Sequence, residues 1–297
     1  MRISTTQYQM ESVKRMLEQE VKLSDIQQKI STGRRILTPS EDPTGSARIL
    51  DLKQVIDINE QYQRNSDMVQ ARLESQDVTI TSMIDVFQRI RELTIQGVND
   101  TQGQSNRDTI ATEIRQQLDE ILSLAGRKDA SGEYLFSGFK GDTNPVVDSG
   151  GGNYTYAGDQ GQRRVAIGPN RNIEDSDNGF DLFFNVNNTA ENTFSVVYNL
   201  ATSLENNTQS GATLNDIDAV MDNLSNFRSK TGARLVSVDN QNNVNEGLVI
   251  HSKELLSDLE DLDLAEAITE LNLRRTGLEA AQQSYVRIQG LSLFNFL

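Results

Sequence analysis

Cysteine is missing from all 297 residues, which excludes disulfides, thioether-linked haem and thiolate metal sites in any compartment. Stability has to come from packing. Tryptophan is also absent, proline occurs four times and only 36% of residues are hydrophobic, a balance that favours long solvated helices over a thick globular interior. No apolar run approaches the roughly 18 to 20 residues needed to span a bilayer, so membrane insertion is not expected. Met1-Arg2-Ile3-Ser4 leads straight into polar sequence, without the apolar stretch of a cleavable signal. Positive charge is scarce as well. The net charge is −15 and Lys/Arg runs stop at pairs such as Arg34-Arg35, whereas a nucleic-acid partner calls for a basic stripe.

What is present is heptad periodicity, most clearly at the two ends. Leu264, Leu271, Leu278 and Tyr285 recur every seven residues, with Ala267, Ala281 and Ile288 three further on and Ile268 beside them. This spacing predicts a helix with one narrow apolar seam, which needs a partner helix. Leu291, Leu293, Phe294, Phe296 and Leu297 follow, five large apolar side chains that call for burial. Near the other end Met16, Leu23 and Ile30 are also seven apart, with Val13 and Ile26 on the same side. Because LSLFNFL has no evident pocket within the chain, both seams are expected to pack between molecules.

Between the ends, Ser4 and Gln7 have capping-box spacing and the first helix is expected to run to Thr32. Gly33 then acts as C-cap, and a linker through Pro39 ends where Asp42 and Pro43 restart the helix as N-cap and first residue. One register of apolar residues carries a single helix to about Val98, interrupted by Asn59, Ser66 and Gln76, polar seam residues of the kind that fix register. Ser105 with Asp108 is expected to cap the next helix, which ends near Gly126. From Gly132 to Tyr198 the pattern changes to short β-prone runs at Tyr154–Tyr156, Arg164–Ile167 and Phe194–Tyr198 between turn signals. This reads as a small β-rich insertion, separable from the helices around it. Thr213 with Asp216 opens a helix whose register continues through Gly232 to about Leu262.

Little in the chain points to catalysis. His251 is the only histidine, which excludes a two-histidine metal site and leaves a helix-surface residue as the better reading of it than a catalytic base. The acidic run Glu174-Asp175-Ser176-Asp177-Asn178-Gly179 has the wrong spacing for a calcium loop, since Val186 stands where the closing carboxylate belongs; a surface turn is expected. Gly150-Gly151-Gly152 lacks the lysine and spacing of a phosphate loop and reads as a flexible turn. No catalytic residue, cofactor or metal is assigned.

The opening MRISTTQYQ, the Gly33–Ile36 linker with Pro39–Pro43, the segment SGEYLFSGFKGDTNPV, the turn Asp261–Glu266 and the LSLFNFL end together resemble the flagellin superfamily. They are similar to its hook-filament junction members rather than to bulk filament subunits. The resemblance implies a mainly α fold with a β-rich insertion: a long antiparallel helical coiled-coil rod with an inner coiled-coil domain made of the terminal helices. The expected division is 1–43 with 264–297 for assembly, 44–131 with 202–263 for the rod, and 132–201 for an exposed β domain. The resemblance further implies a structural subunit of the bacterial flagellum, exported through its type III apparatus without a cleaved leader. Its implied partners are hook-associated protein 1, flagellin, further copies of itself in a helical ring, and a cytoplasmic export chaperone on the C-terminal stretch. The bulk flagellin subunit is the alternative. The expected assembly interface is Met16, Leu23, Ile30, Leu264, Ile268, Leu271, Leu278, Tyr285, Ile288, Leu293, Phe294, Phe296 and Leu297, and the expected inter-domain linker turns on Gly33, Pro39 and Pro43.

Overall fold

The computed structural model describes residues 2–99, 102–186, 191–208 and 212–290, with side chains from Gln7 to Arg287 within those ranges, 212 and 213 excepted. Helices dominate: α1 (Arg2–Thr32), α2 (Pro43–Val98), α3 (Gln104–Ala125), the short α4 (Gly179–Phe183), α5 (Thr193–Glu205), α6 (Ala212–Glu260) and α7 (Leu264–Gly290). Two antiparallel hairpins lie in the middle of the chain, β1 (Val146–Asp148) with β2 (Tyr154–Tyr156), and β3 (Arg164–Gly168) with β4 (Arg171–Glu174). The fold is therefore mainly α with a small β region, as the periodicity and the resemblance indicate. Among the described residues no helix is long and apolar enough to cross a membrane.

The chain divides into two compact units, Met1–Ile58 with Leu248–Leu297, and Asn59–Gly247. In the second, α2 lays Ile80, Met83, Phe87 and Ile90 into a core shared with Ile110, Ile114 and Ile121 of α3 and Ile217, Val220 and Leu224 of α6. These residues repeat at helical spacing, which is why their heptads were visible. Gly232 lies inside α6 without ending it, so the register argument for a continuous helix holds.

The middle segment is not a separate body. Leu135, Phe136, Val146, Tyr154, Leu182, Phe183 and Phe194 belong to the same core as the helices, with Phe136 and Phe183 edge-to-face at 5.3 Å between centroids. The β3–β4 hairpin inserts Ile167 among Val69, Leu73 and Val238. The carbonyls at its bulge are taken by side-chain amides of the long helices, Asn65 Nδ2 to Ala166 O and Asn245 Nδ2 to Ile167 O, both at 2.8 Å. A polar group buried without such a partner would cost about 1 to 3 kcal/mol. Separability of the insertion is thus corrected: its apolar face is the missing side of the helical core.

Three local expectations are corrected with it. Phe194–Tyr198 is helical, not a strand, because Asn192 accepts from Ser195 N at 2.8 Å as N-cap, and Phe194, Val197, Leu200, Ala201 and Leu204 then form one buried helical face that outweighs β-propensity. α3 starts two residues early, capped by extended Gly103 without a side-chain bond, while Gln104 Nε2 donates to Asp108 Oδ1 at 2.7 Å. α1 begins at Arg2, placing Ser4 within the helix rather than at its cap.

The acidic run is the largest correction. Asp175, Ser176, Asp177 and Asn178 are buried. Asp177 Oδ1 accepts from Arg234 at 2.8 Å, and its Oδ2 accepts from Gln76 Nε2 and from Thr231 Oγ1 at 3.2 Å. Arg163 binds Asp175, and Arg234 also reaches Glu174 at 3.0 Å. Burial is tolerable here because each carboxylate meets a guanidinium. Gln76, one of the polar interruptions in the α2 seam, is thereby the partner of this node.

Tyr156 links two loops of the same unit, its hydroxyl lying 2.9 Å from Phe136 O and 2.8 Å from Asp159 O. Burial, followed by the charges of Asp159 and Asp181, pushes its phenol up to about 12 from 10.0. The folded state holds the proton more tightly, so the contribution is complete below pH 10 and is lost as pH rises toward about 12. Tyr156→Phe is expected to be about 1 kcal/mol less stable at pH 7 through the lost hydrogen bond, yet to show a flatter stability curve above pH 10. Parallel alkaline unfolding curves for the two proteins would contradict this.

Candidate assembly surface

In the unit formed by the two ends of the chain, α1 packs along α7. The inner line follows the predicted seams in part. Ile26 and Ala267 are buried, and Met16, Leu23, Ile30, Leu271, Leu278 and Tyr285 are half-buried. Met16 and Tyr285 face a common open groove of about 660 Å³, with Tyr8, Leu273, Gly277 and Ala281 along its walls. The two seams thus meet one another, where the sequence led us to expect each to wait for another molecule. Leu264 and Ile268 lie outside this line, 51% and 48% exposed. The side chain of Ile288, and Leu293, Phe294, Phe296 and Leu297, fall outside the described residues.

A second apolar set is left exposed beside the inner line. Met10, Val13, Leu17 and Val21 on α1, spaced by three and four, are all exposed, as are Leu273 and Val286 on α7. Only Val13 was singled out among them from the sequence. Solvated helices do carry isolated apolar residues, but two neighbouring helices each exposing several form a surface that favours further helix contacts. The signal that finds them is a second i, i+3, i+7 series one position off the heptad.

The connectors at the foot of this helix pair hold each other. Gly33 ends α1 at φ +68°, a left-handed backbone that glycine adopts without a Cβ penalty. Its carbonyl accepts from Leu262 N at 2.9 Å, and Arg35 N donates to Glu260 O at 2.8 Å. Arg35 Nε and Nη2 also donate to Leu259 O, at 3.2 and 3.0 Å, covering a carbonyl in the last turn of α6. Glu260 collects Arg34 and Lys53, each at 2.9 Å. Pro39 lies in the turn after Leu37, and Pro43 is the first residue of α2.

Caps fix both helix starts. Asp42 Oδ1 accepts from Gly45 N at 2.9 Å and Asp263 Oδ1 from Ala265 N at 2.9 Å, the geometry that satisfies first-turn N–H groups. The Gly45 N–H, and then the Thr44 hydroxyl, hold the Asp42 carboxyl below its usual range. Lys29 and Glu41 pair at 2.8 Å; the hydrogen bond raises the ammonium and lowers the carboxyl. Arg34 and Arg35, read from the sequence as a basic pair, are occupied by these contacts. His251 stands exposed on α6, with Nδ1 3.8 Å from Glu254. Among the described residues no group of three or more potential ligand side chains is placed to hold a metal ion.

A long-helix fold with paired termini, an apolar outer surface on that pair and a β region spliced into the middle defines a class of long-helix structural proteins. Residues 3–140 match the family described as the bacterial flagellin N-terminal helical region, and residues 214–297 match the bacterial flagellin C-terminal helical region. The chain belongs to the flagellin family. Over 99% of its length and 99% of the relative's, it is 22% identical to the flagellar hook-associated protein 3 of Escherichia coli K12. Flagellin of Salmonella rubislaw is 30% identical, but over only 35% of this chain and 21% of that protein. The solved structure of a flagellar hook-associated protein from Vibrio parahaemolyticus has the same fold at TM-score 0.69 and 24% identity, covering 74% of this chain and all of the other.

Proposed function

We infer that this chain is a structural subunit of the bacterial flagellum that polymerises at the hook-filament junction, between hook-associated protein 1 and the flagellin filament. The observation that carries this reading is the end-to-end match to hook-associated protein 3, set against a match to flagellin confined to about a third of the chain. The exposed apolar outer face of α1 and α7 supplies the means. Identical contacts repeated by a rotation that does not close generate a helical array, and copies of this chain would meet through that outer face, through exposed Leu264 and Ile268, and through the sides of Met16, Leu23, Ile30, Leu271, Leu278 and Tyr285 that α1 and α7 leave open. The division into 1–43 with 264–297 for assembly, 44–131 with 202–263, and 132–201 remains our functional reading of the chain, with the turn at Gly33, Pro39 and Pro43 linking the first two.

On this reading the protein has no catalytic role and works outside the cell, after passage through the flagellar type III apparatus without a cleaved leader. An export chaperone would cover the C-terminal stretch, whose Leu293, Phe294 and Phe296 are an aggregation hazard while unassembled. The test is the double substitution Leu271→Ala with Leu278→Ala. Truncating a fully buried leucine typically costs about 2 to 5 kcal/mol, and both are half-buried in the single chain, so the loss on assembly should exceed the loss in the monomer. Incorporation at the hook tip is expected to fail while monomer melting shifts little. Normal junctions would overturn the assignment of this face, and long filaments grown from purified protein alone would favour the bulk flagellin reading instead.

A further inference from the structure

Phe139 is 67% exposed, while every other phenylalanine among the described residues is buried or half-buried. A lone surface ring is ordinary, but this one is held in place from below. Phe139 N and Gly161 N both donate to Asp159 Oδ1 at 2.8 Å. Gly138 turns the chain at φ +69°, and the ring lies so close to Gly161 that a Cβ there would collide with it. A ring fixed in this way loses little freedom when something packs on its outer side.

Positive charge gathers beside it. Leu135 N donates to Arg127 O at 3.0 Å and Tyr134 N to Gly141 O at 2.8 Å, bonds that draw the residues after α3 alongside the Phe139–Lys140 turn. Lys128 Nζ stands 4.6 Å from the centre of the Tyr134 ring. Arg127, Lys128 and Lys140 are exposed, and among the described residues none of them forms an ion pair. The nearby Asp129 and Glu133 are taken by Arg72, and Asp142 offsets only part of the charge. A chain of net charge −15 offers acidic surface to such a patch. On α3, Asp108, Thr112, Gln116 and Glu120 stand four apart and all exposed, one stripe without a basic residue, the first three lining an open hollow of about 560 Å³.

We propose that Phe139 with Arg127, Lys128 and Lys140 is a docking surface for a second copy of this chain, and that it meets the acidic stripe of α3 on that copy. Both surfaces stay exposed in the single chain, so the chain does not bring its own pair together. Two different, complementary patches on one subunit make a head-to-tail contact, which extends from copy to copy. Opposite charge sets approach and register, and the ring supplies apolar area at the centre. The proposal rests on the reading of the chain as a self-assembling subunit, and adds to the terminal helices a contact made by the Asn59–Gly247 unit.

The experiment replaces Phe139 by photo-reactive p-benzoylphenylalanine in the full-length chain, mixes it with isotope-labelled chain at millimolar concentration and maps the cross-links by mass spectrometry. Links from position 139 to α3 of the labelled copy are expected, with a yield that falls several-fold from low salt to about 0.5 M. Arg127→Glu with Lys140→Glu should lower the yield about tenfold or more at unchanged melting temperature, since both side chains are exposed. Asp108→Lys with Glu120→Lys in the labelled copy should then restore it. No link between copies, links to another surface of the second copy, or a yield indifferent to both charge reversals would overturn the proposal. The measurement uses purified protein, so absence of the chain from the hook-filament junction would count against the proposed function and leave this contact to its own test.

Discussion

Asp177→Ala is expected to destabilise the Asn59–Gly247 unit by about 3 to 5 kcal/mol, the range seen when one partner of a buried ion pair is removed. The carboxylate is 1% exposed and binds groups from two helices, Gln76 of α2 and both Thr231 and Arg234 of α6. Its loss strands the Arg234 guanidinium, which keeps Glu174 alone, and leaves the Gln76 amide without its acceptor on this side. Arg234→Ala in the same background should cost much less than in the wild type, because the stranded charge has gone with it. Urea unfolding of the single and double variants measures both effects. A loss below about 1 kcal/mol for Asp177→Ala would show the node to be peripheral to stability.

Deleting 140–200 behind a Gly-Ser linker is expected to abolish cooperative unfolding of the same unit. The deletion removes Val146, Tyr154, Leu182, Phe183, Phe194 and Val197 from a core they share with α2, α3 and α6. A single buried phenylalanine truncated to alanine costs about 3 to 5 kcal/mol, so several together exceed the roughly 5 to 15 kcal/mol that holds a domain. Helical circular dichroism would fall and melting would broaden. A sharp transition with native helicity would restore the view of a removable insertion.

The long helices were legible because their apolar residues recur at one period within one segment, and turn chemistry at Gly33, Asp42 and Pro43 marked their ends. What was not legible depended on partners distant in the chain. The run 174–179 looks solvated when its neighbours alone are considered, since Arg234 lies 57 residues and Gln76 101 residues away. Thr193–Glu205 looks like a strand because Phe, Val and Tyr favour one; the helix follows from what its face is buried against. At the terminal helices the heptad line was readable and the outer line of Met10, Leu17 and Val21 was not, because a second line becomes visible only once the first is known to be covered. The glycine turn was read as a flexible turn, and the close approach of Gly152 to the Tyr198 ring leaves no mark in composition.

The bond between Gln76 and Thr231 crosses 155 positions of the chain, and its distance has a kinetic consequence. α3 and the middle segment cover part of α2, but the contacts it makes with α6 wait for residues beyond 212, so a chain emerging from its N-terminal end keeps this core incomplete until more than three quarters of it has appeared. Closing so large a loop is slow compared with forming either helix. The unit therefore has a built-in delay, its core staying incomplete until α6 has joined it.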